Sequence, residues 1–359
     1  MLKAYKYRIY PNREQMHTID WTLETCRCLY NDFLYERKTM YAYDGTRVTY
    51  LWQANSLPYR KKLNAYFSQV HSQVLQDVAR RVDKAYQNFF RRVRAGESPG
   101  YPRFKGKGQY DSFTYPQSGY SVDNGKLKLS CIGSIKIKLH RLMEGNVKTC
   151  TILRKNGKYY VCFSCEVKAT PLDMTGKTVG IDMGVSDFCI TSEGAFFPSP
   201  STYRKAEKAL RRSQRKVSRR KKGSSRRKKA VSELARMHEK VANQRRDVAH
   251  KVANKLIHEY DRIAHEKLQI KNMVKNKHLS KSISDTGWGM FFKILSYKAE
   301  SAGKKIIEVD PHNTSQICSG CENIVKKKLS DRWHHCPVCG YSAHRDINAA
   351  RNILKRATA

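Results

Sequence analysis

Long apolar runs and acidic residues are both scarce in this sequence. No apolar run reaches the roughly eighteen residues that a helix needs to cross a bilayer. The opening residues, Met1-Leu-Lys-Ala-Tyr-Lys, contain neither an apolar signal region nor a small-residue cleavage site. We therefore expect a cytoplasmic protein with no membrane-spanning segment and no secretory leader.

Acidic residues number only 31 against 70 lysines and arginines, which gives a formal net charge of +39. Self-repulsion on this scale favours a polyanionic partner, and nucleic acid is the obvious one. A hydrophobic content of 40% and an aromatic content of 10% exclude a simple basic tail. The length of 359 residues allows two or three folded domains.

Four of the eleven cysteines form two C-x2-C pairs, Cys318 with Cys321 and Cys336 with Cys339, separated by fourteen residues. Two such pairs can present four thiolates to a tetrahedral ion, so the pattern predicts a zinc site. Four thiolates leave no open coordination position, which predicts one structural zinc ion. A histidine in place of one cysteine ligand is the alternative, and the nearby candidates are His334, His335 and His344.

The periodicity of apolar residues divides the first half of the chain. Residues 2–10 read as a strand, and residues 13–95 show helical spacing after a capping-box pattern at Asn12 and Gln15. From residue 101 the period becomes two, which predicts a small antiparallel β-barrel that the first strand can join. Its alternating Ile-Lys pairs place lysines on one face, towards phosphates. Tyr5, Tyr7, Tyr50, Phe113 and Tyr115 either stack on bases or, more simply, fill the barrel core.

A strongly basic region follows near residues 201–258. Fifteen lysines and arginines and one acid, Glu207, lie between Arg204 and Lys229, with a break at Gly223-Ser-Ser. Apolar residues recur here at intervals close to seven. This spacing favours two helices with an apolar seam and a phosphate-binding outer face over a disordered basic tract.

Three acids from separate segments stand at places where chemistry is expected. Asp182 ends the apolar strand Val-Gly-Ile, where Gly184 permits a tight reversal. Glu266 follows a second short strand, and Asp346 begins a helix. Three carboxylates from three separate segments can meet at one edge of a sheet. Burying a carboxylate is costly unless a cation or hydrogen bonds stabilise it. Asp310, at the end of another strand, is the rival to Asp346.

These motifs in this order resemble TnpB, the family of small nucleases carried by bacterial insertion sequences, and the related type V CRISPR effectors. The resemblance rests on Gly-Ile-Asp182-Met-Gly, His-Glu266-Lys-Leu, Asn313-Thr-Ser-Gln316 and Arg345-Asp346-Ile-Asn-Ala-Ala. It also includes the opening Tyr7-Arg-Ile-Tyr-Pro-Asn12 and Gly100-Tyr-Pro-Arg-Phe-Lys105. It covers nearly the whole chain.

The resemblance implies a multidomain α/β protein. Residues 1–12 and 101–172 would form an antiparallel β-barrel wedge domain, interrupted by a helical recognition domain at residues 13–100. Residues 173–359 would form an RNase H-like RuvC nuclease domain. That domain would contain the basic helical hairpin 201–258 and a zinc-ribbon insertion at 315–342.

The resemblance also implies an activity and a set of ligands. The protein would be an RNA-guided, nucleoid-associated DNA endonuclease of a bacterium or archaeon, working as a monomeric ribonucleoprotein. A transposon-encoded guide RNA would direct cleavage of double-stranded DNA beside a short adjacent motif. Asp182, Glu266 and Asp346 match the catalytic positions, which bind two divalent ions, for which we expect Mg²⁺. We choose Asp182 as the bridging ligand, with Glu266 and Asp346 each holding one ion. Such a pair of ions serves both ends of an in-line displacement.

The four cysteines match the zinc site of the family, and two positions depart from its pattern. His344 stands where relatives commonly have aspartate, and Glu322 stands where glycine is usual. Neither departure removes a triad acid or a thiolate. A different class of function stays open: a guided or unguided DNA-binding transposon accessory protein, or a repressor that does not cleave.

Overall fold

The computed structural model describes residues 1–328 and 331–359. These residues divide into two units, Met1–Lys168 and Ala169–Ala359. The predicted zinc-ribbon insertion at 315–342 includes residues 329 and 330, which lie outside the described residues. Within the described ranges, no helix is both long enough and apolar enough to cross a membrane.

The first unit contains a seven-stranded antiparallel sheet and four helices. The strands are β1 (Leu2–Tyr10), β2 (Ser112–Tyr115), β3 (Tyr120–Asp123), β4 (Lys126–Leu129), β5 (Gly133–Lys138), β6 (Asn146–Lys155) and β7 (Lys158–Glu166). The helices are α1 (Arg13–Asp44), α2 (Tyr50–Leu63), α3 (Ala65–Ser68) and α4 (Ser72–Arg94). The strand order is β2-β6-β7-β1-β5-β4-β3.

The first strand joins this sheet as predicted, since β1 pairs with β7 on one side and with β5 on the other. The predicted capping box at the start of α1 is also present, with Asn12 and Gln15 each accepting from the other's backbone. The inner face of the sheet and the buried faces of α1 and α4 form one core. Tyr5, Tyr7 and Phe113 are buried in that core, so they do not stack on bases.

The described residues of the second unit form a five-stranded sheet, a two-stranded hairpin and six helices. The strands are β8 (Thr178–Asp182), β9 (Asp187–Thr191), β10 (Phe196–Pro198), β11 (Arg262–Glu266), β12 (Lys305–Val309), β13 (Trp333–His335) and β14 (Ser342–His344). The helices are α5 (Thr202–Ser218), α6 (Ser225–Glu259), α7 (Ile270–Met273), α8 (Ser280–Thr286), α9 (Trp288–Ala302) and α10 (Arg345–Thr358). The larger sheet has the order β10-β9-β8-β11-β12.

Three adjacent strands of the larger sheet, β8, β11 and β12, run parallel, while β9 and β10 are antiparallel. The carboxyl ends of the parallel strands therefore reach the same edge of the sheet. Helices α6 and α9 pack on the sheet through an apolar core that includes Val179, Leu256 and Phe291. Helix α10 packs against β8 and β11. The predicted pair of basic helices is present as α5 and α6, and the non-helical connection between them contains Gly223.

Candidate functional site

Asp182 and Glu266 end two neighbouring parallel strands. Ile181 of β8 is paired with His265 of β11, so the next residue on each strand is one of the two acids. Asp346 lies in the first turn of α10, which packs on the same two strands. The structure thus brings together the three acids that the sequence singles out.

The pKa of Asp182 is affected by the charges of the other two acids. Burial, and then the neighbouring charges of Glu266 and Asp346, raise the pKa of Asp182 to about 8. A backbone hydrogen bond at Met183 and the charge of Arg345 act in the opposite direction. Like charges held together away from water are costly, so a bound cation would stabilise this cluster.

Glu266 is held by a hydroxyl. Thr314 donates a short hydrogen bond to Oε1 of Glu266. Burial raises the pKa of Glu266, while the Thr314 hydroxyl and the positive charge of Arg356 lower it. The sequence places Thr314 inside a recognisable motif but gives it no role. Its partner lies 48 positions away in the chain.

Asp310, the rival acid, follows β12 and is engaged elsewhere. Its Oδ1 accepts the backbone N–H of His312 at 3.0 Å, and its carbonyl oxygen accepts from Arg356 at 2.6 Å. The charge of Asp346 is among the main causes of the pKa shift of Asp182, and Asp310 is not among those causes. The electrostatics therefore favour Asp346 as the third member of the cluster.

A glycine lets α10 approach the strand that carries Asp182. A Cβ atom on Gly180 would lie 2.1 Å from the carbonyl oxygen of Ala350 and 2.7 Å from the backbone nitrogen of Leu354. Any side chain at position 180 would push α10, and with it Asp346, away from β8. Gly184 allows the reversal after Asp182, since a Cβ there would lie 2.6 Å from the carbonyl oxygen of Asp187.

The second candidate metal site is the cysteine cluster. The Sγ atoms of Cys318, Cys321, Cys336 and Cys339 all lie within 4.8 Å of one another. Cys318 and Cys339 are 3.7 Å apart, and Cys321 and Cys336 are 3.5 Å apart. A tetrahedron with Zn–S bonds of about 2.3 Å has S–S edges of about 3.8 Å, so the cluster fits zinc.

Local hydrogen bonds prepare these thiols for a cation. Asn323 donates to Sγ of Cys321 at 3.4 Å and lowers the pKa of that thiol below its ordinary value. The backbone N–H of Gly320 donates to Sγ of Cys318 at 3.4 Å. Among the described residues, this is the only group of three or more histidine, cysteine, aspartate or glutamate side chains close enough together to hold a metal ion. Asp182, Glu266 and Asp346 do not form a group of this kind.

The three histidines near the cluster have other contacts. Lys327 lies 2.5 Å from Nδ1 of His334, and Ser342 lies 2.9 Å from Nδ1 of His335. Nδ1 of His344 accepts the backbone N–H of Asp346. Among the described residues, the tightly spaced cluster consists of the four cysteines and includes no histidine, which favours four cysteine ligands.

A cationic face covers part of the sheet in the first unit. Arg8 of β1 is paired with Lys138 of β5, and Lys136 of β5 is paired with Lys126 of β4. Like charges placed directly opposite one another destabilise a sheet. Phosphates bound across these pairs would offset that repulsion. We call the surface formed by Arg8, Lys126, Lys136 and Lys138 the basic sheet face.

A second cationic surface lies on α5 in the other unit. A groove there is lined by Lys208, Arg211, Arg212, Arg215, Lys216, Arg219 and Arg220. Lys216 pairs with Glu233 at 2.7 Å and Arg211 pairs with Glu207 at 2.9 Å. The groove is lined by cations along three turns of helix, which suits a nucleic-acid backbone.

The fold and the site together define an α/β protein with metal-binding groups and with surfaces suited to polyanions. Three family descriptions match parts of the chain: "Probable transposase" over residues 161–277, "Cas12f1-like, TNB domain" over 288–353 and "Helix-turn-helix domain" over 1–46. Over residues 1–46 the structure shows β1 followed by the single long helix α1.

Two relatives align with almost the full chain. The "Putative RNA-guided DNA endonuclease InsQ" of Escherichia coli strain K12 is 32% identical over 98% of this chain and 92% of the relative. The "Putative RNA-guided DNA endonuclease" of Streptomyces pristinaespiralis is 33% identical over 98% of this chain and 88% of the relative. The chain belongs to the TnpB family.

A solved structure agrees with the fold. The mini-RNA-guided endonuclease CRISPR-Cas_phi3 aligns with a TM-score of 0.53, over 100% of this chain and 92% of that chain. The identity is 10%, so this likeness concerns the fold alone. It is consistent with the expected α/β architecture.

Proposed function

We propose that this chain is an RNA-guided DNA endonuclease. It uses a transposon-encoded guide RNA and cleaves double-stranded DNA beside a short adjacent motif. The observation that carries the proposal is the cluster of Asp182, Glu266 and Asp346, which lie at the ends of two adjacent parallel strands and at the start of the helix packed on them. The names of the two relatives that align with almost the full chain support the same function.

Asp182, Glu266 and Asp346 are proposed as the ligands of two Mg²⁺ ions. Carboxylate oxygens are ligands that Mg²⁺ prefers, and a cluster of three acids gains from the added positive charge. When bound, two such ions activate a water and stabilise the leaving oxygen of a phosphodiester. The charges of Glu266 and Asp346 both act on Asp182, which supports Asp182 as the bridging ligand.

The four thiolates take a different metal and a different task. A site made of four cysteines has no open position for water or substrate, so the zinc ion there is structural. It joins the segments before and after residues 329 and 330, which carry two cysteines each. Its proposed role is to hold the start of α10 close to the sheet.

The domain roles are part of the proposal. Residues 1–12 and 101–172 form the wedge domain, residues 13–100 the recognition domain and residues 173–359 the RuvC nuclease domain. The basic sheet face and the α5 groove are the proposed contacts to the backbones of guide RNA and DNA. Contacts of this kind position a nucleic acid without reading its sequence, which base pairing with the guide would do.

The experiment that tests this function is guide replacement. RNA that copurifies with the protein is sequenced, its targeting segment is exchanged, and two plasmids are offered, one matching the old segment and one the new. Cleavage should move to the new match, and the Asp182→Asn complex should bind that plasmid without cutting it.

The alternative function makes a different prediction in the same assay. An accessory protein or repressor would bind the matched plasmid and leave it intact with the wild-type chain too. Cleavage that ignores the exchanged segment would overturn guidance by RNA.

A further inference from the structure

Two buried asparagines project from one face of α10. Asn348 is fully buried and Asn352 is 4% exposed, and residues four apart on a helix lie above one another. A buried amide without hydrogen-bond partners destabilises the folded protein. Their partners therefore show what these side chains are for.

Both asparagines bind the backbone of the same short segment, residues 314–319. Nδ2 of Asn348 donates to the carbonyl oxygen of Ile317 at 2.7 Å, and its Oδ1 accepts the backbone N–H of Ser319 at 2.8 Å. Nδ2 of Asn352 donates to the carbonyl oxygens of Thr314 at 2.8 Å and of Ile317 at 2.7 Å. The segment is thus fixed to α10 at three of its residues.

The fixed segment carries a functional group near each end. Thr314 is 2% exposed, and its hydroxyl donates to Oε1 of Glu266. Cys318, which is fully buried, belongs to the thiolate cluster. Since α10 also carries Asp346, one helix bears one acid and holds the hydroxyl that contacts a second acid.

We propose that Thr314 is a positioning residue for Glu266 and that Asn348 and Asn352 hold Thr314 in place. The hydroxyl occupies Oε1 of Glu266, which would leave Oε2 to bind a cation. The thiolate cluster fixes the far end of the segment through Cys318. This inference rests on the proposed function in one respect, since it takes Glu266 as a metal ligand.

A merely structural role for Thr314 predicts something else. In that case, removal of the hydroxyl would lower the stability of the protein but leave the affinity of the acids for a divalent cation unchanged. The discriminating readout is therefore cation binding without turnover. Mn²⁺ is a suitable probe, because unbound Mn²⁺ can be counted by electron paramagnetic resonance.

The test uses the full protein–RNA complex without target DNA. Thr314→Val removes the hydroxyl at nearly constant shape, and Thr314→Ser keeps it. Loss of a group that orients a metal ligand typically weakens metal affinity about 10–100-fold, and we expect this range for Thr314→Val. Thr314→Ser should bind Mn²⁺ much as the wild type does.

The matched control is Thr286→Val in α8. Thr286 is also buried, at 3% exposure, and its hydroxyl donates to the carbonyl oxygen of Ile283 at 2.8 Å. This variant should lose stability and keep Mn²⁺ affinity. Asn352→Ala, which frees Thr314 but leaves its hydroxyl, should weaken Mn²⁺ binding while one zinc ion per chain is retained.

Two outcomes separate this inference from the proposed function. Wild-type Mn²⁺ affinity in Thr314→Val would overturn the positioning role alone. Wild-type Mn²⁺ affinity in Asp182→Asn would overturn the proposed metal site itself. Weakened binding in Thr314→Val together with rescue by Thr314→Ser supports the inference.

Discussion

The imidazole of His344 caps the helix that carries Asp346. Its Nδ1 accepts the backbone N–H of Asp346 at 3.4 Å and lies 3.9 Å from Oδ2 of the same residue. The ring also packs edge-on against Phe196, with 5.3 Å between ring centroids. At the position where the resembled family commonly has aspartate, this chain thus keeps a side chain that can cap the helix.

The cap predicts opposite outcomes for two substitutions at position 344. His344→Ala should lower the free energy of unfolding by about 1 kcal/mol, because the first turn of α10 loses an acceptor. It should also slow cleavage, since that turn carries Asp346. His344→Asp should keep both properties, because aspartate is a preferred cap. Urea unfolding and a plasmid-cleavage time course measure the two effects.

Ser224 provides the control, because it caps α6 by accepting from the backbone of Arg227 at 3.2 Å. Ser224→Ala should cost similar stability and leave cleavage unchanged. Equal cleavage by His344→Ala and the wild type would contradict the link between the cap and Asp346.

Replacing Asp182 should separate binding from cleavage. Asp182→Asn removes the charge that two cations would share, so cleavage should fall below detection while binding to a matched target is retained. Gel-shift and cleavage assays on the same preparation measure both. Asp310→Asn is the matched control and should still cleave. Magnesium-dependent cutting by Asp182→Asn would show that the site is elsewhere.

The raised pKa of Asp182 predicts how stability depends on pH in the absence of divalent cations. The carboxyl ionises near pH 4 in an unfolded chain but has a pKa of about 8 in the folded protein. Between these values the folded state holds more protons, so the free energy of unfolding should fall as pH rises. Urea unfolding at pH 5 and pH 8 checks the sign.

Asp182→Asn should flatten this dependence, because the asparagine does not titrate. Mg²⁺ binding should strengthen as pH rises towards 8, since the proton must leave before the cation binds. An identical pH slope in the variant and the wild type would mean that Asp182 does not carry the effect.

Glu322 offers a stabilising substitution. Its backbone has φ of +66°, in the left-handed region that favours glycine, which is the residue usual at this position in the resembled family. Glu322→Gly should stabilise the zinc knuckle by about 1 kcal/mol, partly offset by the greater freedom of glycine in the unfolded chain. Thermal unfolding of the zinc-loaded protein measures the gain.

The ion pair between Glu322 and Lys355, 3.5 Å apart and exposed, should matter little. Glu322→Ala removes the same pair but keeps a Cβ atom, so it should bring no such gain. A gain of equal size in both variants would contradict an origin in backbone strain.

The thiolate cluster predicts a dependence of folding on zinc. Replacing Cys336 and Cys339 with serine should lower the zinc content from one ion per chain to none and lower the melting temperature. Elemental analysis and calorimetry measure the two. Cys28→Ser, an exposed cysteine outside the cluster, should change neither. Unchanged zinc content in the double variant would show that these thiols are not ligands.

Much of the fold follows from periodicity in the sequence. Strand β4 and the helices α1, α4, α5 and α6 have regular apolar spacing and are present where the pattern predicts them. Strand β9 was not predicted. Four of its five residues are buried, so its sequence, Asp187-Phe-Cys-Ile-Thr, shows no alternation to read.

The site shows the same division. Asp182, Glu266 and Asp346 stand at the ends of elements, so the sequence alone could single them out. The tasks of Thr314 and Asn352 depend on hydrogen bonds between distant segments, and no local pattern contains that information. At position 322 the sequence shows only that glutamate stands where glycine is usual, and the left-handed backbone is seen only in the structure.

Removal of RNA is the most direct test of guided cleavage. The purified complex is treated with ribonuclease until no RNA remains, and a plasmid with the matched target is then offered with Mg²⁺, before and after the RNA is restored. Cleavage should be absent from the RNA-free protein and return with the RNA, and Asp182→Asn should stay inactive in both conditions. Target cleavage by protein that contains no RNA would contradict the guided mechanism.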